Sequence, residues 1–256
     1  LHRLIYSPRI SRGLQRLLAR VEQTAWSVRD RLSLDTWRTI HALTINTDLP
    51  PVDAPFEAPA ARFYLDALVR RAAALSGLSA ENMTRGPNWL FMDMGRRVER
   101  AQHLAWLVRQ TVATTDVRET EHIRILLEIA DSAMTYRSRY LNVFQLMPFV
   151  DLLLLDEHNP RSCAFQLAAI ADHLRELPRI TLAQRSDLPR TLAHEMRQAV
   201  ADANPARLAL CETGARPGLI GLTDTIAAHA LLLSDAIADA YFQHASRRRT
   251  GAAGHS

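Results

Sequence analysis

Between Glu81 and Arg109 the chain reads Glu-Asn-Met-Thr-Arg-Gly-Pro-Asn-Trp-Leu-Phe-Met-Asp-Met-Gly-Arg-Arg-Val-Glu-Arg-Ala-Gln-His-Leu-Ala-Trp-Leu-Val-Arg. The residues in it that could do chemistry are Arg96, Glu99, Arg100 and His103. Helical spacing puts Arg96, Glu99 and His103, at i, i+3 and i+7, on one flank. A carboxylate set beside a guanidinium and an imidazole is a candidate general acid or base, its proton affinity tuned by those neighbours. The same three residues also suit a salt-linked flank that fixes how two helices meet. Arg100 is turned about 100 degrees from Glu99 around a helix, so the two cannot pair with each other. Their partners must come from elsewhere in the fold.

A second group could bind an anion. Asn159-Pro160-Arg161-Ser162 opens an apolar-periodic segment, with Asn159 suited to an N-cap and Pro160 to the first helical position. Free backbone N–H groups there, with Arg161 as a bidentate donor, would hold a carboxylate or phosphate. The alternative is a structural cap whose Arg161 pairs with Asp156 or Glu157. Arg85 is likewise either an anion contact or a loop charge.

Other chemistries fare worse. Glu119-Thr-Glu-His122 has the spacing of one half of a di-iron site, but it occurs once, and that site needs two copies with two further glutamates. His194-Glu195 opens like a zinc-protease motif, yet position 198 is Gln. Neither a Gly-x-Ser-x-Gly elbow nor a glycine-rich phosphate loop occurs. All 31 basic residues are arginine. That rules out a Walker lysine, a pyridoxal Schiff base and a lysine general base within this chain. Cys163 and Cys211 have apolar neighbours and no metal-like spacing, so buried reduced thiols are expected at both, with a disulfide as the alternative.

The elements that must position these residues read as helices throughout. Composition is that of a globular chain, 48% apolar and 23% charged over 256 residues, with a net charge of only +4. Leu14, Leu18, Val21, Ala25, Val28 and Leu32 predict a first long helix, with Ser33 capping a shorter one. Four prolines between Asn46 and Pro59 mark a loop. Ala61, Leu65, Leu68, Ala72 and Leu75 predict a helix ending at Gly77. After the break at Gly86-Pro87-Asn88, with Asn88 as cap, Phe91, Met94, Val98, Ala101, Ala105 and Val108 form the apolar stripe of the helix described above.

Ile123, Leu126, Leu127, Ala130 and Met134 mark the next helix, a bend is expected at Pro148, and Cys163 to Leu177 form another helix, stopped by Pro178. Further helices run from about Leu188 to Ala203 and beyond Gly214 to Gly218. No period-2 stretch competes. The expectation is an all-α bundle of about seven to eight helices, a single domain over 1–246, and a disordered basic tail over 247–256 carrying Arg247-Arg248-Arg249. The apolar run from Phe144 to Leu155 is too short to span a bilayer. No signal peptide is visible, and the Leu1 start suggests upstream sequence.

Three separated segments, in order, are familiar: Arg29 to Trp37, Gly77 to Ala101 with its Glu99-Arg100 pair, and Leu152 to Leu167 with Asn159-Pro160-Arg161-Ser162. Together they resemble the bacterial Alpha-E family, all-helical domains with a Glu-Arg motif. The resemblance implies a tandem duplication of which this chain holds the second part, since one Glu-Arg pair is present. It further implies an accessory domain of a cytoplasmic peptide synthesis or modification system. Its partners would be a circularly permuted ATP-grasp ligase and a transglutaminase-like protein, with ATP and magnesium on the ligase and no cofactor in this chain. In that reading Arg85, Arg96, Arg100, Asn159 and Arg161 hold a peptide or amino-acid carboxylate. The alternatives are an amide-bond enzyme using Glu99 and His103, or a pure scaffold. Neither nucleic acid nor membrane is an expected partner.

Overall fold

The computed structural model describes residues 1–45, 49–140, 143–177 and 187–242. The expected tail over 247–256 and the stop at Pro178 lie outside the described residues. The fold is all-α: among the described residues no strand occurs, only isolated bridges joining Ala215 to Thr114 and to Glu212. The chain divides into two compact units, Leu1–Arg85 and Gly86–Ser256.

The first unit contains α1 (His2–Tyr6), α2 (Leu14–Ser27), α3 (Leu34–Thr44) and α4 (Ala58–Asn82). Helix α3 packs against both α2 and α4 around Leu18, Leu43 and Leu68. Ser33 caps α3 as its position predicts, accepting a hydrogen bond from the Thr36 N–H at 3.2 Å. Two boundaries differ from the sequence reading. Helix α2 ends at Ser27, and Arg29–Arg31 form a 3-10 turn, so Val28 and Leu32 leave the stripe. Helix α4 runs straight through Gly77 to Asn82, because flanking helix formers outweigh the roughly 1 kcal/mol cost of one interior glycine.

In the second unit, α5 (Pro87–Thr111) packs against α9 (Cys163–Glu176) and α12 (Pro217–Tyr241), and α10 (Leu188–Ala201) closes the bundle against the same two. The expected stripe on α5 is real, with Met94, Val98, Ala101, Ala105 and Val108 buried, although Phe91 is only half-buried. Helix α6 (Glu119–Ile129), α7 (Ala133–Tyr140), α8 (Leu146–Val150) and α11 (Pro205–Ala209) cover the end of this bundle. Met134, expected in the core, is exposed, while Tyr136 beside it is fully buried. Pro148 lies in the first turn of α8, where no intrahelical N–H bond is lost to it.

Helix α8 continues as a π-helical turn over Asp151–Leu155, in which the Asp156 N–H reaches the Asp151 carbonyl at 2.9 Å. The wider turn buries three successive leucines, Leu152, Leu153 and Leu154. Helix α12 is long and apolar enough to cross a membrane by length and composition. Within the bundle, its Leu219, Leu222, Ile226, Ala230, Leu233 and Ile237 recur at three and four residues and are buried in the core.

Candidate functional site

The polar centre of the second unit is Asp93, a carboxylate on the first turns of α5 that is 1% exposed. Its Oδ1 accepts from Arg96 Nη2, and its Oδ2 accepts from Arg97 Nε at 2.5 Å and pairs with His173 Nε2 of α9 at 2.7 Å. The two arginines follow Asp93 at i+3 and i+4, the spacing at which helix side chains meet. Burial pushes the Asp93 carboxyl up, but the hydrogen bonds from His173, Arg97 and Arg96 and the Arg97 charge win, and its pKa falls from 3.8 to about 2.

The network continues along α9. Arg97 donates to Gln166 Oε1 at 3.2 Å and lies over the Phe165 ring, and Gln166 in turn donates to the Pro160 carbonyl at 2.6 Å. Ser162 caps α9, accepting from the Phe165 N–H at 3.0 Å, and the buried Cys163 thiol donates to the Ala101 carbonyl of α5 at 3.6 Å. The N-terminus of α9 is thereby fixed beside the middle of α5, next to the arginines. Burial pushes the Cys163 thiol up to about 12, so it stays protonated and inert.

Arg100 sits half-buried in this group and has no carboxylate partner among the described residues. Burial lowers its pKa, and the nearby Arg96, Arg161 and Arg97 guanidiniums lower it further, opposed by Asp93. Among the described residues, four guanidiniums (Arg96, Arg97, Arg100 and Arg161) are set against two paired carboxylates, Asp93 and Asp131, an excess of two positive charges. A half-buried cation with no counter-charge, next to a helix N-terminus, is suited to an anionic ligand.

Of the residues singled out from sequence, Arg96, Arg100 and Arg161 come together here. Arg161 pairs with Asp131 at 2.7 Å, and not with Asp156 or Glu157 as expected of a structural cap, because Asp156 is taken by Arg139 at 2.5 Å. Asn159 is not the N-cap. The cap is Ser162, and Asn159 is buried, donating to the Leu152 carbonyl at 3.0 Å and accepting from the Arg161 N–H at 3.1 Å, so it shapes the turn that carries Arg161. Likewise the α5 N-cap is Gly86, one turn position before Pro87, and not Asn88.

Arg96, Glu99 and His103 do not form a linked flank. Arg96 is turned to Asp93, the exposed His103 stacks on Trp106 with centroids 6.0 Å apart, and the exposed Glu99 forms no ion pair among the described residues. Arg85 belongs to the first unit, where it donates to the Ala80 carbonyl at 2.5 Å near the end of α4. Asp93, Arg97, Gln166 and His173 were not singled out from sequence. The signal for two of them was present in Asp93-x-x-Arg96-Arg97, whereas Gln166 and His173 lie more than sixty residues away.

Other motifs resolve into structure. Glu119 is held by the buried Arg216 at 2.5 Å, and Glu195 pairs with His229 at 3.2 Å. Among the described residues no cluster of His, Cys, Asp and Glu could hold a metal ion.

The position of Glu99-Arg100 on α5 gives the comparisons with known proteins their meaning. The Alpha-E family, described as "a predicted alpha-helical domain with a conserved ER motif", matches this chain over residues 1–242. The chain belongs to the Alpha-E family. The uncharacterized protein Rv2567 of Mycobacterium tuberculosis is 30% identical over 224 residues, covering 82% of this chain and 25% of that protein. The uncharacterized protein Mb2597 of Mycobacterium bovis aligns with the same identity and coverage. This Alpha-E chain therefore spans about a quarter of the length of the curated relatives it matches. No solved structure matches it. The Glu-Arg motif of this Alpha-E chain is divided between two surroundings: Arg100 lies in the arginine group, and Glu99 lines a groove between α5 and α12.

Proposed function

We propose that this Alpha-E chain is a partner domain that holds the carboxylate of a peptide or amino acid for an enzyme acting on it. The observation that carries this reading is Arg100, half-buried among three other guanidiniums with no carboxylate of its own among the described residues. Arg161 and Arg96 bind alongside it, Asp93 holds Arg96 in place, and Asn159 sets the turn that carries Arg161. The absence of lysine and of a phosphate loop suits a helper better than a domain that splits ATP itself.

In this reading the enzyme is a circularly permuted ATP-grasp ligase, which brings the ATP and magnesium, in a system that makes or modifies amide bonds; a transglutaminase-like protein is the further candidate partner. The test compares an N-acetylated dipeptide acid with its C-terminal amide by calorimetric titration. The acid is expected to bind at least about tenfold more tightly, and Arg100→Gln to remove that preference, as expected for the loss of one charged hydrogen bond. Equal affinity for acid and amide would refute the reading. Co-purification with the ATP-grasp protein tests the partnership separately.

A further inference from the structure

Beside the arginine group, α5 carries a second feature that those arginines do not line. Between α5 and α12, both in the second unit, lies a half-open groove of about 430 Å³, within the size range of small-ligand pockets. Its walls are apolar, built from Phe91, Val98, Leu231 and Ile237 among others, and among the described residues Glu99 is the one charged residue in its lining. Phe91 stands at one end with its ring 4.8 Å from that of Phe242, which also lines the groove. An exposed carboxylate without an ion-pair partner among the described residues, flanked by apolar wall and aromatic rings, attracts cations and repels anions. Among the described residues no guanidinium is part of the lining.

We propose that the α5–α12 groove binds a primary ammonium carried on an apolar body of about amino-acid-amide size, with Glu99 pairing with the ammonium. The apolar body covers Val98 and Leu231 and extends toward the aromatic end of the groove at Phe91 and Phe242. Gln102 and Ser234, the polar uncharged side chains of the lining, supply hydrogen bonds for a neighbouring amide. The proposal does not depend on the carboxylate-holding reading, because it concerns another charge and another residue of the Glu-Arg motif.

The experiment uses the full chain, with leucine amide and its uncharged N-acetyl derivative as probes and the backbone amide signals of Gly95 and Ser234 as the readout by NMR titration. Leucine amide is expected to give saturable shifts, and N-acetyl-leucine amide to bind at least tenfold more weakly. Glu99→Gln should weaken leucine amide by a similar factor without loss of fold, since Glu99 is exposed. Gly95 lines the groove, and a Cβ placed there meets nothing within 4 Å, so Gly95→Leu should block the site with an unchanged or higher melting temperature.

Absence of saturable shifts would overturn the proposal. So would equal binding of the two probes, which would make the groove an apolar contact surface without charge selection, or undiminished binding in Gly95→Leu. If Gly95→Leu fails to fold, the comparison of probes and Glu99→Gln decides the matter.

Discussion

At the scale of single residues, the main contrast is between the arginines, which are conspicuous in the sequence, and the buried carboxylate that organises two of them. Asp93 holds its proton less tightly in the folded chain than in the unfolded one, with its pKa lowered from 3.8 to about 2. A depressed carboxyl pKa stabilises the fold above the unfolded value, and that stability is lost as pH falls through the folded one. The shift corresponds to about 2 kcal/mol at neutral pH. Asp93→Asn is expected to cost about 3 kcal/mol in urea unfolding at pH 7, because Arg96 and Arg97 are left without their shared counter-charge. The difference between wild type and variant should shrink as pH falls from about 4 towards 2. A difference that stays constant across that range would show that Asp93 acts through packing and not through charge. Sequence reading found Arg96 at the border of the apolar stripe, Arg100 in the Glu-Arg pair and Arg161 at a helix start. It missed Asp93 because an aspartate one turn before two arginines reads equally well as a solvated pair; its burial depends on His173, eighty residues away.

At the scale of elements, the helices were legible from their period, and their ends were not. The 3.6-residue repeat in the sequence reports which face is buried, and it held for α5, α9 and the core face of α12. Termini depend on which carbonyl and N–H groups find local partners, which is why Ser162 and not Asn159 caps α9 and why Gly77 does not end α4. Gly77 therefore sits in the interior of a 25-residue helix, and a Cβ there would meet no atom within 4 Å. Gly77→Ala is expected to stabilise the chain by about 0.5 to 1 kcal/mol, read as an upward shift in urea midpoint with an unchanged slope. A loss of stability would mean that the position is closed off in the folded chain. The π-helical turn at Asp151–Leu155 had no sequence signal, since a run of leucines suits either pitch.

At the scale of the whole molecule, the two units differ in how much core they own. The first is connected through three buried leucines, Leu18, Leu43 and Leu68, with Phe63 and Val69 of α4 exposed at 74% and 67%. The second has a continuous core running through α5, α9, α10 and α12. Native-state hydrogen exchange should find the amides of α2 and α3 opening at least tenfold more readily than those of α5 and α9, through events that leave the second unit intact. Equal protection in both units would show one cooperative structure. The division into two units was not read from the sequence, where residues 1–246 look like one domain, because α4 and α5 carry the same kind of periodicity on either side of the break. The π-helical turn also sets a register: deleting one residue from Asp151–Leu155 would restore ordinary pitch while swinging the turn at Asn159 and Arg161 by about 100 degrees around the helix axis. The place of Arg161 in the arginine group thus depends on a register as well as on a residue, and a chain with that one residue deleted would have to fill the position with another cation.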